Sequence, residues 1–193
     1  MFLRKIVHLS TIFLLLILKH LTLYHNTKFP GIIILSSLTL LALIIEILRN
    51  TWPAFKEFFL RSVGRLLKED EIKGKPTGAT FLLLSMTLAF ILFEFKIFYY
   101  ATLIAILVDG ITPILTLIIF KKNFKDHSHL VVFLISAILV AFLVNSGLPL
   151  FVKLTASILI SLTEYINPPP DDNLYAEFVG AFIIYILLKI FVH

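Results

Sequence analysis

Near-continuous apolar runs at 6–24, 30–48, 77–95, 97–120, 129–148, 150–166 and 176–192 take up most of this sequence. A helix needs about 20 such residues to cross the hydrocarbon core of a bilayer. The runs predict an all-α, polytopic transmembrane bundle of about seven spans, forming a single integral membrane domain over residues 1–193. Apolar residues make up 59% of the chain and charged ones 15%, too little polar surface for a soluble enzyme or a disordered tail. The absence of cysteine excludes a disulfide framework and thiol chemistry. No Walker-type phosphate loop or nucleotide-binding βαβ pattern interrupts the runs. The first run follows Arg4 and Lys5 as a signal peptide would, but no small-residue cleavage pattern follows, so it reads as a retained span.

The formal charge of +5 first suggests nucleic acid, yet its distribution argues for topology instead. With the N-terminus in the cytoplasm, that side receives Arg4, Lys5, Arg49, Lys56, Arg61, Arg65, Lys68, Lys73, Lys75, Lys121, Lys122 and Lys125. The other side receives Lys28, Lys96 and Lys189, while Lys19 and Lys153 fall inside spans. This asymmetry is the positive-inside pattern. It predicts a multi-pass protein with a cytoplasmic N-terminus and no nucleic-acid partner, and the short chain points to a prokaryotic plasma membrane.

The link at 49–76 carries its own periodicity. Trp52, Phe55, Phe59, Val63 and Leu66 recur at three- and four-residue steps, opposite Glu57, Arg61, Arg65 and Lys68. This predicts an amphipathic helix over about 52–68 on the inner membrane surface, either a simple anchor or a surface for anionic lipid or nucleotide phosphate.

Ionisable groups inside spans are costly, so each is a candidate site. Asp109 is the deepest, in the run Val108 to Pro113, where Gly110 and Pro113 weaken the helix. It is either functional or paired with Lys19 or Lys153, and a straight helix would put it about 16 Å from the inner end of its span. The segment must therefore bend, admit water or divide. Glu46 and Arg49 lie one turn apart at the inner end of the second run, as an ion pair or a site. Glu164 ends the sixth run, before three prolines and Asp171, Asp172 and Asn173, an oxygen-rich turn that suits Mg2+ or is simply solvated. Gly74 to Thr80 opens the third span with small residues and Lys75, a candidate anion site at a helix start. His127 and His129 lack a third ligand at helical spacing.

Arg4, Lys5 and His8, Glu46 and Arg49, the 73–80 turn, the 121–129 loop, Glu164, and Asp171 to Asn173 share the predicted cytoplasmic face. Carboxylates and cations gathered there fit phosphoryl transfer, in which a metal ion and positive side chains neutralise phosphate oxygens.

Taken in order, the residues resemble the dolichol kinase, phytol kinase and CTP-dependent diacylglycerol kinase family, which is related to phosphatidate cytidylyltransferases. Arg4-Lys5-Ile6-Val7-His8 resembles its Arg-Lys-x-x-His opening, and Glu46 to Arg49 followed by Pro53 its Glu-x-x-Arg segment. Leu67 to Glu71 and Thr77-Gly78-Ala79-Thr80 resemble its acidic patch and its Thr-Gly-Ala-Thr span entry. Asp109 resembles the acid of its Gly-Asp motif, and Asp171 to Leu174 its Asp-Asp-Asn-Leu. The chain departs from the family at Val108, where Gly precedes the acid, and at Lys125 to His129, which lacks the Glu and Gly of a Lys-Ser-x-Glu-Gly motif.

The resemblance implies a CTP-dependent kinase of a polyprenol or diacylglycerol-like alcohol, with a membrane lipid and a nucleotide as partners. Asp109, Glu164 and Asp172 are then the expected catalytic residues, and Asp109, Asp171 and Asp172 the expected Mg2+ ligands. Arg4, Lys5, Arg49, Lys75, Thr77, Gly78, Lys125 and Asn173 are expected to hold nucleotide or phosphate. CDP-lipid synthesis from phosphatidate and a non-catalytic or small-transporter role are the alternatives.

Overall fold

The computed structural model describes residues 2–120, 128–166 and 168–191, without the side chains of 2–5, 117, 119, 120, 128, 129 and 172. The described residues form α1 (Phe2–His25), α2 (Phe29–Thr51), α3 (Pro53–Val63), α4 (Glu69–Ile72), α5 (Gly78–Leu92), α6 (Phe95–Phe120), α7 (Ser128–Leu143), α8 (Leu150–Ile166) and α9 (Asp172–Phe191). No strand occurs among them.

Four helices, α1, α2, α6 and α9, are long and apolar enough to cross a membrane, fewer than the seven expected. The apolar runs are longer than the helices they form. In the 77–95 run, Phe93 turns extended, so α5 stops at Leu92 after 15 residues. The 129–148 run ends its helix at Leu143, ahead of a turn in which Gly147 takes φ +70°, and α8 has 17 residues.

The α6 and α9 helices form the centre. α9 packs on α5, α6 and α8, while α1 packs chiefly on α6 and α2 on α5. Small side chains permit the close approach: a Cβ on Gly180 of α9 would lie 3.7 Å from Ala101 of α6. Around them Phe90, Phe98, Ile104 and Val108 are fully buried. α6 runs unbroken through Gly110 and Pro113, so the expected division of this span does not occur. Pro113 nonetheless lacks the N–H that would bond the Asp109 carbonyl.

Two lysines stabilise helix ends remote from α3. Lys28 donates to the carbonyls of Phe90, Ile91 and Phe93 at 2.8, 3.1 and 2.9 Å, capping the C-terminus of α5. Lys153 donates to Val144 O at 2.9 Å just beyond α7. Lys19 lies 4.9 Å from the centre of the Tyr99 ring.

The amphipathic helix is shorter than the expected 52–68. α3 ends at Val63, a single 3-10 turn spans Gly64–Leu66, and Leu67 is extended. Its faces follow the periodicity: Phe55, Phe59 and Val63 are half-buried, and Glu57 and Arg61 pair at 2.6 Å on the exposed side.

Candidate functional site

Between the α1/α6 and α2/α5 pairs, under α3 and its 3-10 turn, lies a cavity of about 320 Å3. Its polar lining is His8, Thr11, Glu46, Glu71, Thr77, Thr80, Asp109 and Asn173. Its apolar walls come from Val7 of α1, Ala42 and Ile45 of α2, and Phe59, Val63 and Leu66 of the α3 segment.

Asp109 meets a partner that sequence spacing does not disclose. His8 Nε2 lies 3.7 Å from Asp109 Oδ2, with both side chains nearly buried. The sequence left Lys19 or Lys153 as its partner, but neither is the residue that faces it; α1 packs on α6 with its starting turns beside Asp109, which brings the imidazole there instead. The cavity that Asp109 lines is also lined by Phe59 of α3.

The α2–α5 junction is a clamp. Arg49 is 2% exposed and pairs with Glu46, while its other bonds reach Glu71 O and Lys75 O, each at 2.6 Å. Glu46 Oε1 accepts the Thr77 N–H at 2.8 Å and the Thr80 hydroxyl at 3.0 Å. Glu71 accepts the N–H groups of Lys68 and Gly78 at 2.6 and 2.7 Å. The N–H groups at the start of α5, which the sequence marks as an anion site, are thus engaged by two of the chain's own carboxylates, in keeping with the preference of helix N-termini for negative charge. Thr77 and Gly78 still line the cavity.

On the α9 side, Asp171 Oδ2 accepts from Lys68 Nζ at 3.0 Å, and Asp171 Oδ1 from Asn173 Nδ2 at 2.6 Å and Asn173 N at 3.2 Å. This acid caps α9, which therefore begins at Asp172, ahead of the expected 176. Asn173 O accepts from Ser85 of α5 at 2.9 Å.

The cavity thus gathers Asp109, Asn173, Thr77 and Gly78 from the expected set. Arg49 stands behind it, and Lys75 is turned outward to Asp70 at 2.6 Å, a bond that holds the exposed Asp70 carboxyl below its usual range. Glu164 is buried in α8 and is not among the described residues lining the cavity. The side chains of Arg4, Lys5 and Asp172, and all of Lys125, Asp126 and His127, lie outside the described residues, as does the side chain of His129.

Sequence reasoning left three groups unassigned. His8 stood out as a polar residue one turn after Lys5 but received no role, and Glu71 entered only as part of an acidic patch. Glu177 of α9 is fully buried and accepts from Ser85 at 3.3 Å. An ionisable residue just inside the 176–192 run was the signal that could have found it.

Among the described residues no three His, Asp or Glu side chains converge as a metal cage. Mg2+ commonly takes only one or two carboxylates and completes its shell with phosphate and water. Asp109 and Asn173 provide oxygens of that kind in the cavity. The described lining holds three carboxylates, Glu46, Glu71 and Asp109, and the His8 imidazole. Compared with protein-family models, curated proteins and solved structures, the chain matches none.

Proposed function

We propose that this protein is a membrane-embedded lipid kinase that transfers a phosphoryl group to the hydroxyl of a polyprenol- or diacylglycerol-like alcohol. The observation that carries the reading is the cavity itself, which joins apolar walls to an end bearing the His8–Asp109 pair. α5, α7 and α8 join the four longer helices in crossing the bilayer, giving seven spans with the N-terminus and α3 on the cytoplasmic side. The distribution of Lys and Arg supports this orientation.

In the reaction the lipid hydroxyl oxygen forms a bond to the terminal phosphorus of the nucleotide. The bond from that phosphorus to the bridging oxygen breaks, and the nucleoside diphosphate leaves. His8 takes the hydroxyl proton, as a positioned base does in phosphoryl transfer, and Asp109, 3.7 Å from its Nε2, stabilises the imidazolium that forms. When bound, Mg2+ supplies neutralisation of phosphate oxygens, and Asp109 with Asn173 would hold it. Lys68, 38% exposed at the side chain, and the exposed Lys73 and Lys75 offer positive charge at the rim. CTP as the donor follows from the family resemblance alone.

Incubating the purified protein with terminally labelled CTP, Mg2+ and each lipid class tests the reading. Label in the lipid alcohol supports it; pyrophosphate release with a lipid phosphate supports cytidylyl transfer instead.

A further inference from the structure

The cavity has an apolar side that phosphoryl transfer does not use. Val7 and Thr11 of α1 and Ala42 and Ile45 of α2 line it. At their far ends these helices are joined by a short turn and meet closely: a Cβ on Gly31 would lie 3.2 Å from Leu18 Cδ2. From there each packs on a different neighbour, α1 on α6 and α2 on α5. The pair therefore splays toward α3, and the cavity occupies the opening. These lining residues also reach the outer surface, Val7 being 47% exposed and Thr11, Ala42 and Ile45 half-buried.

Size adds a second constraint. A volume of about 320 Å3 is at the small end of ligand pockets, which run from about 300 to 1,000 Å3. That is enough for a head group and the first carbons of one chain. The rest of a long chain must leave through a wall, and the wall between α1 and α2 is apolar apart from Thr11, whose hydroxyl is spent on the His8 carbonyl, and is flanked by exposed lipid-type surface at Phe13, Leu41 and Ile44. Two chains branching from adjacent carbons would double the demand within the same space.

We infer that a single-chain lipid alcohol enters sideways between α1 and α2, its first carbons passing between Thr11 and Ala42 and its hydroxyl reaching His8 and Asp109. Thr11 and Ala42 form the gate that sets chain width, so a polyprenol-type chain is admitted and a two-chain glycerolipid is excluded. The identity of the occupant rests on the lipid-alcohol reading above; the route and the gate rest on the packing of α1 and α2.

Photolabelling of the full chain in nanodiscs tests this without nucleotide. The probes are a long-chain primary alcohol and a diacylglycerol, each carrying a diazirine near its head, with labelled positions mapped by mass spectrometry. The alcohol is expected to label the segments 7–11 and 42–45. Ala42→Trp and Thr11→Trp, on opposite walls, each reduce that labelling about tenfold, and the milder Ala42→Leu reduces it less. Leu41→Trp, on the exposed face of α2, leaves it unchanged, and all variants are compared at matched elution in size-exclusion chromatography. Labelling at other helices, labelling unaffected by either wall variant, or equal labelling by the diacylglycerol overturns the inference. Labelled slit residues with no phosphorylation of the alcohol would leave the route standing and remove the kinase reading; phosphorylation with labelling elsewhere would do the reverse.

Discussion

Glu71 accepts the backbone N–H of Gly78 at 2.7 Å, so a buried acid from the short α4 turn closes the N-terminus of α5. Its other oxygen accepts the Lys68 N–H, and Lys68 reaches on to Asp171 at the start of α9. One carboxylate therefore links three elements around the cavity. Glu71→Ala leaves two amide donors without their acceptor and is expected to cost about 3 kcal/mol, at roughly 1.5 kcal/mol or more for each charge-assisted bond. Glu71→Gln keeps one acceptor oxygen and loses about half as much. Thermal unfolding in detergent, followed by circular dichroism, gives the ranking; equal melting temperatures for the three proteins would contradict it.

Arg49 is a clamp whose fork shape matters. Its guanidinium holds Glu46 and two carbonyls of the 71–75 turn, and its ring-facing side lies 5.4 Å from Phe59. Lysine has one ammonium on a flexible stem and cannot reproduce the fork. Arg49→Lys should therefore lower stability measurably, and Arg49→Ala, which leaves Glu46 buried without its cation, by about 3–5 kcal/mol. If Arg49→Lys unfolds with wild-type stability, the clamp is not what holds α2 to α5.

Gly31 is required by packing. A Cβ there would stand 2.6 Å from Phe90 Cζ, in a ring already packed edge-on against Phe98 at 4.8 Å between centres. Gly31→Ala is expected to destabilise by about 1–3 kcal/mol, the usual range for overpacking. A melting temperature at or above wild type would show that the ring moves aside at no cost.

The cap on α5 carries a pH signature. Burial lowers the Lys28 pKa below its ordinary 10.5, with Glu94 partly opposing. Between that lowered value and 10.5 the unfolded chain binds more protons than the folded one, so the lysine's contribution to stability rises with pH across the window. The stability difference between wild type and Lys28→Met should accordingly grow as pH approaches 10.5. A difference that shrinks over the same range would reverse the assigned sign.

Much of this arrangement is local enough to read from the sequence. Glu46 and Arg49 are three residues apart, so any helix puts them side by side. The faces of α3 follow from the spacing of Phe55, Phe59 and Val63. The His8–Asp109 contact is different in kind, because it joins α1 to α6 and depends on which helices pack together. No periodicity encodes that choice. Hydropathy likewise marks apolar runs but not where they stop being helical: Phe93 and Val144 are as apolar as their neighbours, yet the chain has left the helix at both. Lys153 looks like an intramembrane charge in the sequence and proves to serve a carbonyl at the end of α7.

The central claim is that the His8–Asp109 end of the cavity performs phosphoryl transfer to a lipid hydroxyl. The most direct measurement is transfer of label from terminally labelled CTP to a long-chain lipid alcohol by wild type, Asp109→Asn and His8→Gln at matched folding. The account predicts Mg2+-dependent label in the alcohol for wild type and a loss of roughly a hundredfold or more in each variant, the scale of removing a positioned acid–base group. No labelled alcohol from the wild-type protein, together with no binding of Mg-CTP, would contradict it, as would equal transfer by all three proteins.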